Sequence, residues 1–286
     1  MKKIIALVMS LIMVCALGGT ALAAEKPDTD LTVTIPGITV TVTTDKLSED
    51  VYAWNNLNAL GIGKYVYYPA DLLTSDETYP VVVWSNGSWC PVQTYYGYIQ
   101  PLVEAGYVVI ADTDLYTKYG SSVVDSVEFA YEINEDEDSL FYGKIDTDAI
   151  GATGHSLGGE ACVNACASTD KIKCIVSLAG CSTADEVDAM QTDVPTLFFG
   201  GQYDINVPKD KYCVTSFNEI NGPAVYVYCT NVEHFACWYL PDLYTGYAVD
   251  WLDIYLKGDT SKLSIFQDGG QLSQDDNYAG YMCKNL

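Results

Sequence analysis

Residues 144 to 167 read "KIDTDAIGATGHSLGGEACVNACA", and the fold turns on what Ser156 is doing between its glycines. The apolar run "AIGATGH" has the pattern of a buried strand, and "LGGEACVNACAS" after it is helical in pattern. Three readings compete for the junction: a structural turn, a phosphate-cradling loop, and an elbow that presents a nucleophile. A nucleotide loop needs a Lys-Ser/Thr pair after its glycines, and "GATGHSLGG" has none. A turn accounts for Gly154 and Gly158 but not for serine at the apex. The elbow uses every position, because two residues without a Cβ let the chain reverse sharply and push the Ser156 hydroxyl clear of the sheet.

Working outward, apolar runs alternate with helical patterns. "LTVTIPGITVTV" reads as one or two strands broken at Pro36 and Gly37, followed by strands "GKYVYYPADL" and "YPVVVWSNGS". Helix "QTYYGYIQPLVEAGY", strand "VVIADTD" and helix "SSVVDSVEFAYEI" precede the elbow. Beyond it come strand "KCIVSLAG", a short helical piece near "ADEVDAM", strands "VPTLFFGG" and "AVYVYC", and helix "GYAVDWLDIYLKG". This alternation predicts an α/β fold: a doubly wound, mostly parallel sheet with helices on both faces. Only about 15 residues separate "CIVSLAG" from "VPTLFFGG", room for one helix and no large lid, so the cleft should be open.

A serine hydroxyl needs a base in hydrogen-bond reach, normally an imidazole steadied by a carboxylate. The chain has two histidines. His155 adjoins the serine, where neighbouring side chains point apart, so packing is its expected role. That leaves His234, in "YCTNVEHFACW" after the strand "AVYVYC". The orienting acid should follow a strand end between serine and histidine, and "VPTLFFGGQYDINVP" offers Asp204, with Glu233 the weaker alternative. Two backbone N–H groups should receive the developing oxyanion: that of Leu157, just after the serine, and that of Ser88 in "SNGSW", where Gly87 allows close approach. Asn86-Gly87-Ser88 also matches a glycosylation sequon, though a buried loop is a poor acceptor.

From about Tyr65 to Gly258, the segments "VYYPADL", "YPVVVWSNGS", "LVEAGYVVIADTD", "IDTDAIGATGHSLGG", "VPTLFFGGQYDINVP", "EHFACW" and "WLDIYLKGD" together resemble the α/β-hydrolases. Within them the chain resembles the secreted dienelactone-hydrolase, cutinase-like polyesterase and chlorophyllase-like group. The resemblance implies hydrolysis of neutral carboxylic esters, small or polymeric, through an acyl-enzyme on Ser156 with His234 and Asp204. Peptidase or acyltransferase chemistry by the same three residues, or a non-catalytic binding protein on this fold, are the alternatives. The chain departs from the polyester hydrolases in lacking an aromatic directly after Gly87. Trp89, Tyr95, Tyr96, Trp238 and Tyr239 flank the oxyanion and histidine loops; Trp89, Tyr95 and Trp238 are the candidate substrate contacts.

The chain opens "MKKIIALVMSLIMVCALGGTALAAEK": two lysines, an apolar run and a small-x-small ending, the pattern of a secretory signal over 1–23. Residues 24–286 are then expected to form one exported α/β-hydrolase domain, without stable membrane insertion. Acidic residues number 38 against 14 basic, all lysine. Such a surface repels nucleic acid and lacks the guanidinium fork that grips phosphate. Ten cysteines, nine beyond the signal, show no Cys-x-x-Cys spacing, and two histidines cannot complete a cluster, so neither metal nor cofactor is expected. The odd nine leave at least one thiol without a partner in the chain, and their pairing is open.

Overall fold

In the computed structural model the described residues are 31–35, 38–58, 62–180 and 192–286. The expected leader and the helical piece near "ADEVDAM" lie outside them. Eleven strands form one sheet: β1 (Leu31–Ile35), β2 (Ile38–Lys46), β3 (Val51–Asn58), β4 (Lys64–Pro69), β5 (Tyr79–Ser85), β6 (Val108–Asp112), β7 (Ile145–His155), β8 (Ile172–Leu178), β9 (Thr196–Gly201), β10 (Ala224–Cys229) and β11 (Tyr278–Lys284). Their order is β1-β2-β3-β4-β6-β5-β7-β8-β9-β10-β11. The run from β6 to β10 is parallel throughout, while β1 to β4 and β11 add antiparallel flanks.

The parallel centre is apolar on both faces because helices cover both. Along β5, Val82 and Trp84 face Tyr98, Ile99 and Leu102 of α1 (Tyr96–Glu104) and Trp251 and Leu252 of the helix at Asp242–Leu256. Val81 and Val83 point the other way, toward Val123 and Val127 of α2 (Ser121–Glu135) and Ala161 of α3 (Leu157–Ala165). Each such aliphatic side chain, fully withdrawn from water, contributes about 1.5–3 kcal/mol before conformational entropy is subtracted.

Two strands had no counterpart in the sequence pattern. Strand β3, "VYAWNNLN", carries three asparagines that weaken its strand signal, yet its register between β2 and β4 holds it extended. Tyr278–Lys284, beyond the segments that carry the resemblance, returns to the sheet as β11, paired antiparallel to β10 with a register shift between Tyr226 and Tyr228. The Tyr278 ring lies 5.4 Å from that of Tyr247 and 6.2 Å from that of Phe199, pinning this strand to the core.

Eight cysteines among the described residues carry free thiols: Cys90, Cys162, Cys174, Cys213, Cys229 and Cys237 buried, Cys166 and Cys283 half-buried. Burial pushes the thiols of Cys162, Cys174 and Cys237 well above their ordinary range, which keeps them protonated and unreactive. Among the described residues no group of three His, Cys, Asp or Glu side chains gathers in a way that could hold a metal ion, and no helix is long and apolar enough to cross a membrane.

Candidate active site

Because β5, β7, β8, β9 and β10 are adjacent and parallel, the loops that follow them emerge along one edge of the sheet. Those after β5, β7, β9 and β10 carry Ser88, Ser156, Asp204 and His234, residues more than a hundred positions apart at the extremes. In open α/β sheets this carboxyl edge is where ligands bind.

Ser156 takes φ 57° and ψ −123°, a conformation in which a side chain is strained, between the end of β7 and the start of α3. Its N–H donates to the Leu178 carbonyl at 2.8 Å, tying the elbow to β8. The flanking glycines are required by packing: a Cβ on Gly158 would lie 2.1 Å from the Ser85 carbonyl oxygen, and one on Gly154 would lie 2.6 Å from the Gly158 backbone. The half-buried Ser156 hydroxyl lies 2.9 Å from Nε2 of His234. Nδ1 of His234 lies 2.7 Å from Oδ2 of Asp204. The other Asp204 oxygen accepts the N–H groups of Asn206 at 2.9 Å and Val207 at 2.7 Å. A carboxylate held from both sides fixes Nδ1–H as the donor, so Nε2 faces the serine with a lone pair. Both side chains are buried, which strengthens this contact relative to the same pair in water. Glu233 is turned elsewhere: its oxygens accept the Phe235 N–H at 3.0 Å and the Tyr239 hydroxyl at 2.8 Å.

The loop after β5 is held from behind by Asn86, which is 1% exposed. Its amide donates to the carbonyls of Asp112 at 2.7 Å and Asp114 at 3.1 Å and accepts the Trp84 indole N–H at 2.9 Å. Both amide hydrogens are engaged, so the sequon here has no accessible nitrogen. The Trp89 N–H donates to the Leu115 carbonyl at 2.9 Å, and the Trp89 backbone sits at φ 60°. Ser88 and Leu157 line a cleft of about 310 Å³ together with Gly87, Cys90, His155, Ser156, Asn206, Val207, His234 and Phe235. Leu157 opens α3, where the first N–H groups of a helix lack partners within the helix.

Of the three expected aromatic contacts, none lines this cleft. Tyr95 is fully buried, its hydroxyl engaged with Nδ1 of His155 at 2.9 Å and the Gly87 N–H at 3.2 Å. Its phenol points into the protein, toward His155 and the Gly87 N–H. Trp238 stands behind Phe235, with ring centroids 4.6 Å apart. Trp89 is 60% exposed on the rim. Phe235 is the aromatic that does line the cleft, and its place directly after His234 was the available signal. Asn206 and Val207, just past Asp204, were equally open to that argument. Gly87 also has a different use from the one expected. A Cβ there would meet the Tyr95 hydroxyl at 2.8 Å and Nδ1 of His155 at 3.0 Å, so its missing side chain makes room for protein rather than ligand.

A mainly parallel α/β sheet with a serine on a strand-to-helix elbow at its carboxyl edge is the α/β-hydrolase fold. The family model for PET hydrolase-like proteins matches residues 34–280, and the chain belongs to that family. It is 25% identical over 226 residues to Cutinase est1 of Thermobifida alba, covering 76% of this chain and 73% of that protein. Similarity to Cutinase est2 of the same organism is equal in identity and covers 72% of it. A bis(hydroxyethyl) terephthalate hydrolase of Streptomyces coelicolor is 25% identical over 202 residues, 69% of this chain and 63% of its own length. The chain is accordingly a carboxylic ester hydrolase.

Proposed function

We propose that this protein is a secreted serine esterase that cleaves neutral carboxylic esters through an acyl-enzyme on Ser156. The observation that carries the reading is the unbroken line from the Ser156 hydroxyl to Nε2 of His234, and from Nδ1 of His234 to Asp204, at 2.9 and 2.7 Å. His234 takes the serine proton as the hydroxyl attacks the ester carbonyl, and Asp204 stabilises the imidazolium that forms. The Ser88 and Leu157 N–H groups receive the oxyanion; a donor of this kind is worth about 10²–10³ in kcat. His234 then hands its proton to the departing alcohol, and water, activated by the same base, releases the acid.

Three features bear on the substrate. Asn206, Val207 and Phe235 make the cleft wall largely uncharged, which suits a neutral acyl or aryl group. Trp89, Tyr203 and Tyr239 stand exposed on the loops around the site and Ile205 is 88% exposed, a rim suited to a chain larger than the cleft. The relatives are named for cutin and for a terephthalate diester. Polymeric and aromatic esters are therefore included in the proposal. The amino-terminal pattern supports export.

The test is hydrolysis of p-nitrophenyl acetate and butyrate by wild type and Ser156→Ala, with a fluorophosphonate probe followed by peptide mapping. Turnover that falls by at least about 10⁴-fold in the variant, with the probe on Ser156, is the expected result. Unchanged turnover in Ser156→Ala rejects the reading. A labelled Ser156 without ester turnover moves the assignment to peptidase or acyltransferase chemistry.

A further inference from the structure

Beside the site lies a buried polar pair that this mechanism leaves unused. Nε2 of His155 is 2.8 Å from the backbone carbonyl oxygen of His234, and Nδ1 is 2.9 Å from the Tyr95 hydroxyl. The Tyr95 oxygen is in turn 3.2 Å from the Gly87 N–H. A carbonyl only accepts, so Nε2 of His155 carries the hydrogen. Its Nδ1 is then a lone pair that takes the Tyr95 O–H, and the tyrosine oxygen accepts from Gly87. Every atom has one satisfied role, and no other arrangement of the same hydrogens satisfies all four groups.

The two ends of this chain matter. Gly87 immediately precedes Ser88, which lines the cleft, and His234 is the base. We propose that Tyr95 and His155 are positioning residues, a hydrogen-bonded brace that sets the oxyanion-binding loop and the backbone of His234 at a fixed separation. The proposal rests on the reading of Ser156 as nucleophile with Ser88 as an oxyanion donor. Preorganised donors act only where the charge develops, so a displacement of either loop costs rate in the transition state and little in ground-state binding. Gly87 fits this arrangement, since any side chain there would occupy the place of the Tyr95 hydroxyl and Nδ1 of His155. Burial, and the adjacent His234, hold the His155 imidazole down to about 3, so the brace keeps its donors and acceptors at neutral pH.

The brace is tested by kcat and KM for p-nitrophenyl butyrate, and by the inhibition constant of phenylboronic acid, a tetrahedral mimic of the transition state. Wild type is compared with Tyr95→Phe, His155→Phe and His155→Gln, each checked for folding by near-UV circular dichroism. Tyr95→Phe keeps the ring and removes the hydroxyl. It should lower kcat and weaken boronate binding, each by about tenfold, the order of one neutral hydrogen bond, with KM within about twofold. His155→Gln, which retains a donor and an acceptor, should recover most of what His155→Phe loses; a general packing role gives no such recovery. Should His155→Phe fail to fold, Tyr95→Phe and His155→Gln decide the matter. Wild-type kcat and boronate affinity in Tyr95→Phe, with Ser156→Ala inactive, overturn the brace alone. Unchanged turnover in Ser156→Ala overturns the catalytic reading beneath it.

Discussion

The His155 side chain sits 1% exposed, with the ring of His234 at 4.6 Å and that of Tyr95 at 5.6 Å. Withdrawal from water is the main reason its imidazole stays neutral, and the neighbouring His234 adds to the effect. Around it, Tyr95 is an uncharged phenol, the thiol of Cys237 is held protonated by burial, and Glu233 is committed to Phe235 and Tyr239. A histidine that titrates near 6.5 unfolded and near 3 folded makes the unfolded chain the better proton acceptor in between. The stability it supports is therefore complete above about pH 6.5 and declines as pH falls toward 3, with a slope approaching ~1.4 kcal/mol per pH unit. Urea denaturation of wild type and His155→Gln at pH 7 and at pH 4 checks the sign: the wild type should lose more stability on acidification than the variant.

Among elements, the elbow between β7 and α3 shows packing overruling propensity. An alanine within an ordinary helix is better than glycine by roughly 0.5–1 kcal/mol. At Gly158 the same methyl group would sit 2.1 Å from the Ser85 carbonyl oxygen, so α3 could not approach β5. Gly158→Ala should lower both the melting temperature and kcat/KM, the latter by about 100-fold or more, since displacing the start of α3 moves the Leu157 N–H. Thermal denaturation together with p-nitrophenyl butyrate kinetics measures both, and an unchanged kcat/KM would show that the elbow tolerates the displacement. At the opposite edge, β11 covers β10 and keeps it from standing as an open template for other chains.

Over the whole molecule the formal net charge is −24, and no arginine is present to localise an anion. The cleft lining itself carries no carboxylate or lysine apart from the buried machinery, so this field acts on approach rather than on contact. For esters of equal length, one ending in trimethylammonium should show kcat/KM about tenfold above one ending in carboxylate at about 0.01 M salt. The gap should close toward about 0.5 M salt, where the screening length falls below the distance across the site. A neutral ester should respond little to salt, and equal rates for the two charged esters at low salt would remove any role for the field.

Much of this could be read from the order of residues alone. The parallel α/β pattern, the elbow at Ser156 and its hydrogen-bonded partners Asp204 and His234 were legible because strand-turn-helix junctions impose local demands: apolar runs, missing Cβ atoms, and one histidine that does not adjoin the serine. What the chain does with Tyr95, Trp238, Phe235 and Gly87 was not legible. Those residues are defined by which way a side chain turns once four loops meet at one edge of the sheet, a matter of contacts across 60 to 79 positions, such as Tyr95 with His155 and His155 with the His234 carbonyl. Strand β11 belongs with them, because an edge strand is specified by the vacancy beside β10 and not by its own short, half-buried pattern. Local sequence determined where Ser156, Asp204 and His234 stand along the chain, and close packing in three dimensions decided what holds them in place.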